Sequence, residues 1–121
     1  MQESVLMLRV ATGLFVVAAL GGVVMAAIHF FGKRNPPPWL AMGHGLMAGA
    51  GLTLLLYAAF AVGIPTLATW ALVLFIAAAL GGLVMNLNYQ WKQRPLPSGL
   101  LMGHAAVAVV AFLMLLAAAF S

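Results

Sequence analysis

The sequence contains no cysteine and only one acidic residue, Glu3. Without cysteine there are no disulfides, no thiolate metal ligands and no covalent haem attachment through a Cys-x-x-Cys-His motif. Without further acidic residues the chain has no carboxylate pair for catalysis, no Ser-His-acid triad and no proton relay through Asp or Glu. No glycine-rich phosphate loop followed by lysine is present. These absences remove most classes of hydrolytic and nucleotide-dependent enzymes.

Charged residues of either sign make up 5% of the 121 residues, whereas hydrophobic residues make up 66%. Apolar runs longer than about 18 residues are typical of membrane-spanning helices. The first run is too long for a signal peptide, and no basic residue precedes Arg9. The sequence therefore predicts an all-α integral membrane four-helix bundle that forms a single membrane domain over residues 1–121. The predicted spans are residues 5–31, 39–61, 67–91 and 98–120.

The net charge of +4 indicates the orientation of the chain in a membrane rather than a nucleic-acid partner. Lys33 and Arg34 lie in the first connection, Lys92 and Arg94 lie in the third, and the middle connection carries no charge. Because cytoplasmic loops are enriched in Lys and Arg, we expect both basic connections inside the cell. The prediction is a multi-pass protein of the bacterial inner (cytoplasmic) membrane with both termini outside the cytoplasm.

Residues 19–60 recur as residues 79–120, and 18 of the 42 paired positions are identical. This internal similarity predicts two tandem two-helix hairpin repeats, at about residues 5–61 and 66–121. Short connections favour antiparallel neighbours in an up-down-up-down bundle. The repeat aligns His44 with His104 inside apolar helices. Since histidine within a membrane is costly, a symmetric pair indicates a binding site.

Residue counting places the histidines in the cytoplasmic third of the bilayer. His44 lies six residues after Pro38, which corresponds to roughly 9 Å along a helix. His104 matches it, and His29 lies four residues before Lys33, roughly 6 Å from the charged loop. We therefore expect all three histidines in one layer, which Tyr89 completes at the position equivalent to His29.

A b-type haem suits this pattern because it needs two axial imidazoles on opposite sides of an apolar slot. The second and fourth helices lie on a diagonal of roughly 13 Å, which two imidazoles could bridge through one iron. His44 and His104 are therefore the predicted ligands, and Arg34 and Arg94, with Lys33 and Lys92, are expected to pair with the propionates. His29 is left to carry a proton, to bond a propionate or to line a quinone pocket.

Histidines on the first, second and fourth of four membrane helices, at positions 29, 44 and 104, resemble the small bacterial cytochrome b561 group. The resemblance implies quinone-linked electron transfer. Members of that group hold two haems at two depths, whereas three histidines at one depth suffice for one haem only. An electron-transfer or accessory subunit fits better than a stand-alone enzyme. Expected partners are the lipid bilayer and either other membrane subunits or further copies of the chain.

Three alternatives remain open from the sequence. The histidines could bind copper or zinc together with soft thioether ligands from Met25, Met42, Met85 and Met102. They could form a proton or quinone site without metal. In the third alternative the protein is a cofactor-free accessory or structural subunit, in which each histidine bonds a carbonyl or water and holds helices together.

Overall fold

The computed structural model describes residues 2–121 and forms four long helices over that part of the chain. Helix α1 spans Gln2–Gly32 and α4 spans Ser98–Ala119. Helix α2 (Pro38–Tyr57) continues into a π-helical turn (Ala58–Val62), and α3 (Thr66–Met85) continues into a second π-helical turn (Asn86–Gln90). The continuous segments have 31, 25, 25 and 22 residues with mean hydropathies of 1.9 to 2.4. All four are long and apolar enough to cross a membrane, as the sequence predicted.

Proline sets the start of three of the four helices. Pro37, Pro65 and Pro97 precede α2, α3 and α4 in an extended conformation. Their carbonyl oxygens accept hydrogen bonds from the amides four residues later, at 3.1 to 3.3 Å. A proline loses no hydrogen bond at this position, because the first amides of a helix have no intrahelical partner. The prolines therefore fix where each helix leaves its connection.

The two basic connections turn in the same way. Lys33 and Gln93, which are equivalent in the sequence repeat, both adopt left-handed backbone conformations, with φ of 53° and 54°. Asn35 joins the connections, since its Nδ2 donates to the Arg94 carbonyl at 2.8 Å and its Oδ1 accepts from the Leu96 amide at 3.1 Å. The Gln90 side chain also donates to the Pro36 carbonyl at 2.8 Å. These bonds hold both basic connections together at one end of the bundle.

The helices pack in sequential order, with α1 against α2 and α3 against α4 as the closest pairs. The central residues are mostly small or aliphatic, and Leu8, Leu55 and Leu115 are fully buried. Phe15 and Phe75 stack across the centre from α1 and α3, with ring centroids 3.9 Å apart and planes within 5°. A Cβ at Gly51 would approach the Phe15 ring to 3.0 Å, so any larger residue there would displace the ring. The stacked rings fill the centre of the bundle between α1 and α3.

Candidate functional site

His44 on α2 and His104 on α4 make the same contact within their own hairpins. Nδ1 of His44 donates to the Ala18 carbonyl of α1, and Nδ1 of His104 donates to the Ala78 carbonyl of α3, both at 2.7 Å. Because a carbonyl oxygen can only accept, the proton of each neutral ring lies on Nδ1. The lone pair of each ring therefore lies on Nε2, which is the form that binds a metal ion.

Two glycine pairs leave room for the imidazole rings to pack against α1 and α3. A Cβ at Gly22 would lie 3.2 Å from Cε1 of His44, and one at Gly82 would lie 3.3 Å from Cε1 of His104. Positions 21 and 81, also glycine, would come within 3.6 and 3.8 Å of the same histidines. The sequence marks both pairs as helix-packing points, because they recur within the repeat, but it does not show that the groups packed against them are the two imidazoles.

The two rings approach each other across the bundle. Their centroids are 6.3 Å apart and their planes are inclined by 74°. Over residues 2–121, Nε2 of neither ring takes part in a hydrogen bond, and no unpartnered side-chain nitrogen is fully buried. Both Nε2 atoms are therefore unpartnered and keep some accessible surface.

The ring separation can be compared with metal coordination. Imidazole nitrogens bind zinc-like ions at about 2.0–2.1 Å, and bond lengths near 1.33 Å place a ring nitrogen about 1.1 Å from the ring centroid. Two imidazoles on opposite sides of one ion would therefore have centroids roughly 6 Å apart. The 6.3 Å separation of His44 and His104 is compatible with this distance, and it also lies in the range of roughly 4.5–7 Å that is typical of an edge-to-face ring contact.

His29 lies at a different level, so the prediction of a single histidine layer is wrong. Its Nε2 forms a 3.0 Å hydrogen bond with Oγ of Ser98 at the start of α4. The α1 residue beside His44 is Gly21, and His29 follows it by eight residues, or roughly 12 Å. The cause is the position of each residue in its helix: α1 ends three residues after His29, whereas α2 begins six residues before His44.

The other predicted site residues also lie at the basic end. Tyr89 belongs to the π-helical turn after α3, and the Arg94 guanidinium stacks on its ring at 4.8 Å from the centroid. Arg94 also donates to the Asn88 carbonyl at 3.2 Å. Arg34 is exposed in the first connection. Of the predicted residues, the structure therefore brings His44 and His104 together and groups the others near the connections.

A cleft of about 680 Å³ opens at this end, between the first connection and the start of α4. We call it the basic cleft. Its polar lining includes His29, Lys33, Arg34, Gln90 and Ser98, and its apolar lining is formed mainly by Phe30, Leu96 and prolines.

The three histidines do not converge on one point. Within the described residues, no group of three or more His, Cys, Asp or Glu side chains could hold a metal ion. Met42 and Met102 are 64% and 61% exposed, so their thioethers point away from the histidine pair, whereas Met85 is buried. The site that the structure offers therefore has two imidazole donors.

No protein-family model, curated protein or solved structure matches this chain. The resemblance to the small bacterial cytochrome b561 group stays a prediction from the three histidines and the helix count.

Proposed function

We propose that the protein is a membrane electron-transfer protein or subunit that binds one b-type haem through His44 and His104. The observation that carries the proposal is the accessible imidazole pair, with centroids 6.3 Å apart and each Nδ1 held by a helix carbonyl. Metal-binding histidines characteristically donate their other ring N–H to a carbonyl, which fixes the ring and makes the binding nitrogen more basic.

The number of donors favours haem over a bare ion. Structural zinc sites take four protein ligands and catalytic sites take three, whereas only His44 and His104 meet at this point. A haem supplies most of its own iron ligands, so His44 and His104 would suffice to hold it. When bound, it supplies a reversible one-electron carrier whose potential depends on the axial ligands, burial and nearby hydrogen bonds.

Other residues have roles around the pair. The carbonyls of Ala18 and Ala78 orient the imidazoles, and the Phe15–Phe75 stack excludes water on one side. Arg34 and Arg94, at the basic end, would supply cations for the propionates. His29, bonded to Ser98, keeps its proposed role at the propionates or at a quinone.

The proposed setting is the bacterial inner membrane. The positions of Lys33, Arg34, Lys92 and Arg94 support cytoplasmic basic connections and external termini. The proposed architecture is two tandem hairpin repeats, supported by the shared φ values at residues 33 and 93 and the shared histidine contacts. Electrons would pass to another membrane subunit, to a further copy of the chain or to a lipid-soluble carrier.

The test is an optical spectrum of the protein purified in detergent from haem-sufficient cells, together with a pyridine haemochrome assay. We expect a Soret band that sharpens on reduction, near one haem per chain. His44→Ala and His104→Ala should each lose the band, because each removes one of two axial donors. His29→Ala is the matched control and should retain it, since His29 is bonded to Ser98 at another level.

A colourless wild-type protein would overturn the haem proposal. Loss of the band in His29→Ala but not in His104→Ala would show that the ligands are assigned wrongly.

The second candidate is a cofactor-free accessory or structural subunit. It is supported by the same two Nδ1 bonds, each of which ties one helix to its neighbour at 2.7 Å. Side-chain hydrogen bonds between helices stabilise membrane bundles by about 0.6 to 2 kcal/mol. A colourless wild type that loses thermal stability in both His44→Ala and His104→Ala would favour this function.

A further inference from the structure

The proposed haem ligands His44 and His104 do not line the basic cleft, although His29 and Arg34, which are proposed to act at the propionates, do. The cleft itself has the chemistry to hold a second ligand. We propose that it binds the phosphate of an anionic phospholipid headgroup. The inference rests on the proposed membrane placement of the chain but not on haem.

The first argument is uncompensated positive charge. Over residues 2–121, Lys33 and Arg34 take part in no hydrogen bond or ion pair, and both line the cleft. The single acidic residue, Glu3, lies at the opposite end of α1. Basic pockets between membrane helices bind anionic headgroups, and a guanidinium can hold a phosphate through two parallel hydrogen bonds.

The second argument is a difference between the two connections. Gln93 replaces Lys33 at the equivalent left-handed position, and Arg94 is already occupied by the Tyr89 ring and the Asn88 carbonyl. Neither Lys92 nor Arg94 lines the cleft. Of the three cations of the two connections that are unpartnered within residues 2–121, Lys33 and Arg34 line the cleft and Lys92 does not, so we expect one phosphate site rather than two.

The third argument concerns the level of the cleft and its apolar surroundings. Trp39 and Trp91, close to the two basic connections, are 72% and 75% exposed. Exposed tryptophans are typical of the headgroup level of a bilayer. Phe30 lines the cleft and is itself partly exposed, so apolar surface continues outward from the phosphate site. A phosphate that carries acyl chains fits this surface better than a soluble anion.

The experiment is native mass spectrometry of the detergent-purified protein. Phosphatidylglycerol or phosphatidylcholine with identical acyl chains is added, and the fraction of protein that carries each lipid is measured. Lys33→Gln/Arg34→Gln removes two cationic side chains from the cleft, and Lys92→Gln/Arg94→Gln removes two outside it. We expect the wild type to prefer phosphatidylglycerol about tenfold, because each nearby cation attracts an anionic headgroup. The first double variant should lose the preference, and the second should retain most of it.

Two controls separate lipid binding from misfolding and from a soluble ligand. Lys33→Arg/Arg34→Lys should retain the preference, and helix content by circular dichroism should be equal in all variants. Equal binding of both lipids to the wild type, or equal loss in both charge-removal variants, would overturn the proposal. Displacement of phosphatidylglycerol by an equal concentration of glycerol phosphate would assign the cleft to a soluble anion instead. A colourless protein with intact lipid preference would reject the haem proposal and leave this one standing.

Discussion

At the residue scale, the hydrogen bond on one nitrogen of each site histidine determines what the other nitrogen can do. Nδ1 of His44 donates to the Ala18 carbonyl, and Nδ1 of His104 donates to the Ala78 carbonyl. A buried N–H without a partner costs about 1–3 kcal/mol, so the carbonyl strongly favours the tautomer with its proton on Nδ1. The two Nε2 atoms therefore carry the free lone pairs, and the rings are oriented without any further polar residue.

Glycine at positions 22 and 82 gives the most direct test of this arrangement. Gly22→Ala would place a methyl group 3.2 Å from Cε1 of His44, which must move the ring or the helix. We expect the variant to be destabilised by about 1–2 kcal/mol, through the weakened bond to Ala18. Thermal unfolding in detergent measures the effect, and haem retention on the same samples should also fall.

Gly45→Ala is the matched control for Gly22→Ala. It lies next to His44 on α2, and a Cβ there meets nothing within 4 Å. Alanine also has a higher intrinsic helix propensity than glycine, by about 1 kcal/mol in water, so we expect Gly45→Ala to be no less stable than the wild type. Equal stability of the two variants would contradict the close seating of the imidazole against α1.

The equivalence of His44 and His104 could be predicted from sequence, whereas their hydrogen-bond partners could not. The equivalence followed from the repeat, which aligns the two histidines inside apolar helices. Ala18 and Ala78 contribute backbone carbonyls, which any residue type carries, so no side-chain pattern marks them. The level of His29 was also predicted wrongly, since counting from the loops ignores where each helix ends.

At the scale of elements, the bounds of the second, third and fourth spans were predicted to within one residue, when the π-helical turns that follow α2 and α3 are counted with them. Prolines at 37, 65 and 97 mark the starts of α2, α3 and α4, because proline fits the first turn of a helix. The π-helical turns that follow Tyr57 and Met85 have no equally simple sequence signal. The link through Asn35 joins connections 59 residues apart, which periodicity along the chain cannot reveal.

Asn35→Ala should loosen the basic end of the bundle. The substitution removes a donor to the Arg94 carbonyl and an acceptor from the Leu96 amide. Two hydrogen bonds at about 0.5–1.5 kcal/mol each predict a loss of about 1–3 kcal/mol in the free energy of unfolding. Asn88→Ala is the control, because over residues 2–121 only its backbone carbonyl, not its side chain, forms a bond to another residue's side chain.

Chemical denaturation in detergent measures both variants, and hydrogen exchange of the Leu96 amide reports the local effect. Unchanged exchange at Leu96 in Asn35→Ala would show that the two connections are not joined as the structure has them.

At the scale of the whole molecule, hydropathy predicted four spans, and the structure has four helices of suitable length. The order of packing also follows from short connections. The stack of Phe15 on Phe75 was not predicted, although the two phenylalanines are separated by the same 60 residues as His44 and His104. Nothing in the periodicity of uniformly apolar helices distinguishes a ring at the centre from one that faces lipid.

Because the chain contains no cysteine, its proposed orientation can be tested by labelling single introduced cysteines. Single cysteines at Ser121 and Lys92, both exposed, give a labelling site at the C-terminus and one in the third connection. In intact spheroplasts a membrane-impermeant maleimide should modify Ser121→Cys at once and Lys92→Cys only after permeabilisation, as the positive-inside rule requires. Labelling in the reverse order would show that the termini are cytoplasmic.

Each imidazole donates its hydrogen bond within its own hairpin, His44 to α1 and His104 to α3. The contact between the two rings is therefore a contact between the two hairpins. A ligand that contacted both rings would therefore tie the two hairpins together, in addition to the bonds that link their basic connections. The two halves of the chain differ at that basic end, where Tyr89 aligns with His29 and Gln93 aligns with Lys33.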